Sequence, residues 1–227
     1  MFQTKPQGLK KMKSSRNSII VDLLRHGECR GGDIYRGSTD VELTDRGWEQ
    51  MQAALSAIVP DKRQSPWQKI FSSPLQRCRL FSEAQGKYFA TPVSIEHAFR
   101  EMDFGEWEGR ALKEVWSNDR EAVDRFYQSP DKNSPPNGES MQALLGRLMP
   151  AWTKILHAHR GEHILIVQHG GTIRALISWL LQMPLTAATR LDIPYASLSR
   201  FEMFEYDGDF FPRLLFLNGM TNSTGEF

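Results

Sequence analysis

Short apolar runs alternate along this chain with longer stretches whose apolar positions recur every three to four residues. The first pattern predicts buried strands and the second predicts helices. Ile19 to Leu24 reads as a strand that ends directly in Arg25-His26-Gly27-Glu28. A polar, glycine-rich loop follows from Cys29 to Thr39, and Thr44 is placed to cap an amphipathic helix reaching Ile58. Trp67 to Phe71 predicts a second strand, ending at Ser72-Ser73-Pro74. Pro74 suits the first turn of a helix that runs to Phe89, and Val93 to Glu96 predicts a third strand.

The middle of the chain differs in character. Residues 99–109 form an acidic, aromatic loop, and Ala111 to Tyr127 predicts one helix. Ser129 to Ser140 is rich in Pro, Ser, Asn and Gly and reads as a loop at a lid boundary. Glu139 to His159 predicts a long helix with a kink or break at Pro150. The most apolar strand, His163 to Gln168, ends in His169-Gly170-Gly171, and a helix follows from Thr172 to Leu181. Leu198 to Tyr206 and Arg213 to Leu217 read as terminal strands joined around Asp207-Gly208-Asp209.

Strands alternating with helices predict a three-layer α/β/α fold with a mostly parallel central sheet. In such folds a site lies beyond the C-terminal ends of the strands. Three predicted strand ends carry reactive side chains: Arg25 and His26, then Ser72, Ser73 and Arg77, then His169. That convergence is the first sign of an active site.

Composition narrows the picture. With 227 residues, 40% of them hydrophobic and 24% charged, the chain suits one sizeable domain with a packed core. Its formal charge of +1 excludes a polyanion binder acting through overall basicity. Five of the 28 basic residues fall within residues 1–17, which hold no acid, leaving 23 against 27 acids in the remainder. Asp22 interrupts the apolar run behind that segment, so the segment reads as a disordered basic tail rather than a signal peptide. Met12 is a second candidate for the first residue. The expected division is that tail, a single domain over 18–220 with a small cap from about 99 to 140, and a polar tail over 221–227. Two cysteines, Cys29 and Cys78, fit a reducing compartment and a cytoplasmic location better than a disulfide framework. No apolar run approaches the roughly 18 residues that span a bilayer.

A histidine at a strand end, next to an arginine and followed by glycine, suits a phosphate site. The guanidinium is a permanently charged fork for phosphate oxygens, and Gly27 allows the backbone to approach an anion. Neutral imidazole is a nucleophile toward phosphorus. By itself Arg25-His26-Gly27 reads equally well as a surface loop. His157, His159 and His163 raise the question of a metal cluster, but a solvated helix end explains them better.

Leu23-Leu24-Arg25-His26-Gly27-Glu28 resembles the signature of the histidine phosphatase superfamily, the phosphoglycerate mutase-like proteins. Phe71 to Arg77 resembles its second arginine motif, and Arg100 to Gly109 its general-acid motif. Asn137-Gly138-Glu139-Ser140 and Val167 to Arg174 resemble a loop-to-helix signature and the second-histidine motif. The five occur in family order over about residues 19 to 206.

The resemblance implies that His26 is the nucleophile that becomes phosphohistidine. It implies that Arg25 and Arg77 clamp the phosphoryl oxygens and that His169 bonds the same oxygens. Glu101 would protonate the leaving alcohol and then deprotonate water. A general acid must hold its proton, and Phe104 and Trp107 are one apolar neighbourhood that favours this. Neither a metal nor any other cofactor is implied. The Asn that binds phosphate in many members is absent, so Gly31, Gly32 or Arg36 is expected in its place, with Gly170 beside the second histidine. The segment from Gly31 to Met51 looks most like α-ribazole-5′-phosphate phosphatases, and Trp107, Trp116, Phe126 and Tyr127 are candidates to stack on such a substrate. The expected partner is a small phosphate monoester. No nucleic acid or membrane is expected, and a homodimer is compatible. A phosphoglycerate mutase or broad sugar-phosphate phosphatase is the alternative activity, and an inactive scaffold on the same fold the second alternative.

Overall fold

The computed structural model describes residues 18–59 and 64–219, so both predicted tails lie outside the described residues. Six strands form one sheet: β1 (Ile19–Arg25), β2 (Lys69–Ser72), β3 (Val93–Ile95), β4 (His163–Gln168), β5 (Leu198–Tyr206) and β6 (Asp209–Phe216). Their order is β3-β2-β4-β1-β5-β6. β3, β2, β4 and β1 run parallel, and β5 and β6 add an antiparallel edge. The sheet is therefore mostly parallel.

The side-chain alternation of β4 explains why it reads as an unbroken apolar run. Ile164 and Ile166 join one buried cluster, while Leu165 and Val167 join the other, so the strand is covered on both faces. α1 (Asp45–Ile58) and α2 (Gln76–Phe89) cover one face through Met51, Leu55, Cys78 and Phe81. α5 (Met141–Ala158) and α6 (Gly170–Leu180) cover the other through Leu148, Trp152, Ile173 and Leu176. α3 (Leu112–Asn118) and α4 (Arg120–Gln128) join the α5 and α6 side of the core through Val115, Val123 and Phe126.

Thr44 caps α1 as its sequence predicts, its side chain accepting from Gly47 N. Other boundaries differ. α2 begins at Gln76, with Pro74 two residues ahead of it, because Asp40 Oδ1 accepts from Gln76 N and supplies the terminus from outside the helix. The predicted helix over Ala111–Tyr127 is two helices meeting at Asp119, whose carboxylate accepts from Arg110. α5 runs unbroken through Pro150, packing of its apolar face outweighing one lost hydrogen bond. α6 starts two residues early, at Gly170, because Thr172 Oγ1 accepts from His169 N and donates to the His169 carbonyl. β6 begins at Asp209 rather than Arg213, its pairing with β5 extending to the turn.

A fully buried charge sits inside the sheet. Asp22, fully buried on β1, accepts from Trp67 Nε1 at 2.8 Å, His163 Nε2 at 2.8 Å and Arg200 Nε at 2.7 Å. Burial pushes its carboxyl pKa up, but the bonds from His163 and Arg200 outweigh that and hold it below the ordinary value.

Candidate active site

The C-terminal ends of β1 and β4 open onto one cavity of about 320 Å³, while the residues that follow β2 stand outside its lining. Arg25, His26, Glu101, Gly170, Arg174 and Tyr195 form its polar end. Tyr35, Phe104, Leu112, Phe126, Tyr127 and Met141 give it an apolar wall, in which Tyr35 contacts both Phe104 and Tyr127.

His26 is 4% exposed, and its Nδ1 lies 2.8 Å from the Gly27 carbonyl oxygen. A carbonyl only accepts, so Nδ1 carries the proton and the lone pair of the neutral ring is on Nε2. Burial, then the charges of Arg77 and Arg25, push the His26 pKa well below its ordinary value. The ring is thus a neutral imidazole with its nucleophilic nitrogen free of hydrogen bonds to the described residues. Gly27 serves a different purpose from the one expected. A β-carbon there would overlap the Gly47 carbonyl, so this glycine lets the strand end lie against the first turn of α1.

Arg25 donates through Nη1 to the Ile193 carbonyl and lies over the Tyr195 ring at 4.3 Å. Its Nε–H is buried with no partner among the described residues. Arg36 repeats the pattern: Nη2 donates to the carbonyls of Arg30 and Gly32 at 2.8 Å each, and Nε is buried without a partner among the described residues. Both residues line the cavity, where the permanent charge of their guanidinium groups favours an oxyanion. Gly31 and Gly32 are exposed and lie outside the lining; Gly32 contributes by holding Arg36. Gly170 does line the cavity, and a side chain there would crowd Arg25 and Arg174.

Arg77 and His169 stand behind this lining, both fully buried. Arg77 Nε donates to His169 Nδ1 at 3.2 Å, and His169 Nε2 lies 2.7 Å from Ser73 Oγ. His169 therefore takes the Nε2–H form and donates to Ser73. Burial, Arg77 and His26 push its pKa well down too. Its ring meets His26 edge-on, with centroids 5.2 Å apart. The remaining Arg77 donors hold the carbonyls of Thr39 and Gly37 at 2.9 and 2.8 Å.

Glu101 lines the cavity, but its surroundings are not the expected aromatic ones. Its carboxylate accepts from Met102 N at 2.9 Å, Gly171 N at 2.9 Å and Thr172 N at 3.1 Å, the last two in the first turn of α6. Phe104 instead packs on Tyr35, and Trp107 is fully buried between Tyr35 and Phe126. Of the four predicted stacking residues, Phe126 and Tyr127 line the cavity, while Trp116 stacks on Tyr127 from outside it.

Several contributors had no assigned role in the sequence reading. Arg174 follows Gly170 by four residues on α6, so helical spacing brings both to one face. Tyr195 carries no periodic signal, and Ser73 matters only through His169. The three histidines near the α5 end are not a cluster: His159 pairs with Glu162, His163 with Asp22, and His157 with Arg160. Burial raises the thiol pKa of both Cys29 and Cys78, which lie against the rings of His26 and His169 at 3.3 and 3.8 Å.

A mostly parallel α/β sheet that carries two buried neutral histidines and their arginines to its strand ends defines a phosphatase/mutase architecture. The chain belongs to the histidine phosphatase superfamily (branch 1), whose family description matches residues 21–211. It is 31% identical over 160 residues to the uncharacterised phosphatase PhoE of Bacillus subtilis, covering 70% of this chain and 75% of that protein. It is 31% identical over 184 residues to the bifunctional protein Rv2228c of Mycobacterium tuberculosis. That match takes in 80% of this chain and 50% of the relative, so the chain spans half the relative's length. The crystal structure of the α-ribazole phosphatase from Shigella flexneri superposes with a TM-score of 0.73 at 26% identity, covering 92% of this chain and all of that one. Among the described residues no helix is long and apolar enough to cross a membrane.

Proposed function

We propose that this protein is a metal-independent phosphomonoesterase that works through a phosphohistidine on His26. Its proposed substrate is α-ribazole 5′-phosphate, and its proposed place is cobalamin nucleotide-loop assembly in the cytoplasm. One observation carries the chemistry: a histidine held neutral with Nε2 free lines the same cavity as the guanidinium-bearing Arg25 and Arg36. Nε2 attacks phosphorus and the bond to the leaving oxygen breaks, with Glu101 supplying that oxygen's proton. Water then attacks phosphorus, Glu101 takes its proton, the N–P bond breaks and phosphate departs. Phosphoryl transfer is catalysed mainly by positioning and charge, and the arginines supply charge that divalent cations supply in other enzymes.

The substrate assignment is supported by the apolar wall of Tyr35, Phe104, Phe126 and Tyr127. A flat benzimidazole suits such a wall. Similarity to the Shigella α-ribazole phosphatase supports it as well. On this reading residues 99–140 act as a cap, contributing Glu101, Phe104, Leu112, Phe126 and Tyr127 to the cavity.

A phosphate-release assay in EDTA tests the proposal, comparing α-ribazole 5′-phosphate, 3-phosphoglycerate, sugar phosphates and p-nitrophenyl phosphate. The expected kcat/KM for the first is about 10⁴ M⁻¹s⁻¹ or more, far above the rest. Even, weak turnover of all four would overturn the substrate and leave the histidine chemistry standing. Dependence on 2,3-bisphosphoglycerate would instead identify a mutase. His26→Ala should abolish turnover and the acid-labile phosphoenzyme; retained turnover would overturn the mechanism.

A further inference from the structure

We infer that Arg147 and Glu139, an ion pair outside the cavity, position Glu101 for proton transfer to the leaving group. The inference rests on the reading of Glu101 as general acid. Glu101 lies in an irregular segment between two short 3₁₀ turns, His97–Phe99 and Gly105–Trp107. No helix or sheet ladder fixes its backbone there.

Arg147, on α5, replaces that ladder. Nη1 donates to the carbonyls of Ala98 and Arg100, and Nη2 donates to the Glu101 carbonyl at 2.9 Å. Nε and Nη2 each reach the Glu139 carboxylate at 2.8 Å. A guanidinium has five N–H groups in a fixed fork, and all five are engaged here. Glu139 completes the clamp. Its backbone N–H donates to the Asp103 carbonyl at 2.8 Å, and its Oε2 accepts from Asp103 N at 3.4 Å. The main chain is thus held on both sides of Glu101.

The Glu101 carboxylate is aimed separately, by the amides of Gly171 and Thr172 on α6. α5 therefore sets where its backbone lies and α6 sets where its oxygens point. Arg147 and Glu139 are largely buried, with side chains 15% and 13% exposed. Neither lines the cavity, so both are positioning residues rather than catalytic ones.

A displaced general acid has a signature that a loosened fold lacks. Proton donation matters for an alkoxide leaving group and little for a stable phenolate. The test measures kcat/KM, which reports transfer to His26, on an alkyl phosphate and on p-nitrophenyl phosphate for Arg147→Lys, Glu139→Gln and Glu101→Gln. Lysine keeps the charge but cannot reproduce the fork. Both pair variants should lose about 100-fold on the alkyl ester, the scale expected for a misplaced catalytic group, and at most about 3-fold on the aryl ester. Equal losses on both esters, with Glu101→Gln still selective, would make the pair merely structural and overturn the inference. Absence of ester selectivity in Glu101→Gln would overturn the general-acid reading instead. If Arg147→Lys fails to fold, Glu139→Gln, which keeps a neutral acceptor of the same shape, decides the matter alone.

Discussion

Arg77 and Glu108 grip the same short loop from opposite sides. Arg77 takes the carbonyls of Gly37 and Thr39, while the Glu108 carboxylate takes the backbone N–H groups of Gly37, Ser38 and Thr39 and the Thr39 hydroxyl. Burial pushes the Glu108 pKa up, yet the bonds from Thr39, Phe104 and Ser38 outweigh it and hold the carboxyl below its usual value. A loop bonded on both edges is a rigid seat for the Arg77 guanidinium, which in turn holds His169.

Glu108→Gln should therefore weaken catalysis without touching substrate. A loosened loop lets Arg77 and His169 shift, and misplacement of catalytic groups on that scale corresponds to a drop of about 10- to 100-fold in kcat/KM. Steady-state kinetics on p-nitrophenyl phosphate checks this, and an unchanged kcat/KM would separate the loop from the catalytic centre.

His26 should remain neutral at pH values where a free histidine is charged. Its Nε2 should keep the ¹⁵N shift of an unprotonated ring nitrogen well below pH 6.5. Stability follows with a definite sign. The unfolded chain takes up protons on His26 and His169 below about pH 6.5 while the folded protein does not, so stability declines as pH falls through that value. A midpoint near 6.5 for His26 in an NMR titration would contradict the electrostatics of the site.

Asp22→Asn should cost stability, about 3–5 kcal/mol, because it leaves Arg200 without its buried counter-charge and His163 without its carboxylate partner. The wild-type contribution is present above the ordinary aspartate pKa of about 3.9 and is lost as pH falls through the depressed folded value. Urea unfolding of both proteins at neutral pH measures the difference, and a change below about 1 kcal/mol would show that the network is replaceable.

Tyr127→Ala should raise KM for substrates with an aromatic leaving group and leave small alkyl phosphates unaffected, since the ring belongs to the apolar part of the lining and makes no bond to Arg25 or His26 among the described residues. Equal KM increases across both substrate types would assign Tyr127 to the general shape of the cavity.

The elements that could be read from the sequence are those whose local pattern agrees with their packing. The run from His163 to Gln168 has no polar break because both of its faces are covered, and Thr44 caps α1 with its own side chain. The misplaced boundaries have non-local causes: Asp40 supplies the start of α2, and packing of α5 overrides Pro150. In the site, His26, Arg25 and Glu101 announce themselves by residue type beside a strand end or within a motif, whereas Tyr195 and Arg147 do not.

The sequence alone determined the α/β alternation, the family, and which strand ends carry reactive groups, because hydrophobic period and residue chemistry are local properties. Only the tertiary structure decided the protonation form of His26, the pairing of His169 with Ser73, the backbone amides around Glu101 and the loop shared by Arg77 and Glu108. Each of these depends on burial or on a hydrogen bond between residues far apart in the chain. Desolvation and long-range bonding leave no mark on the spacing of residues, and they are what turn a set of reactive side chains into a site.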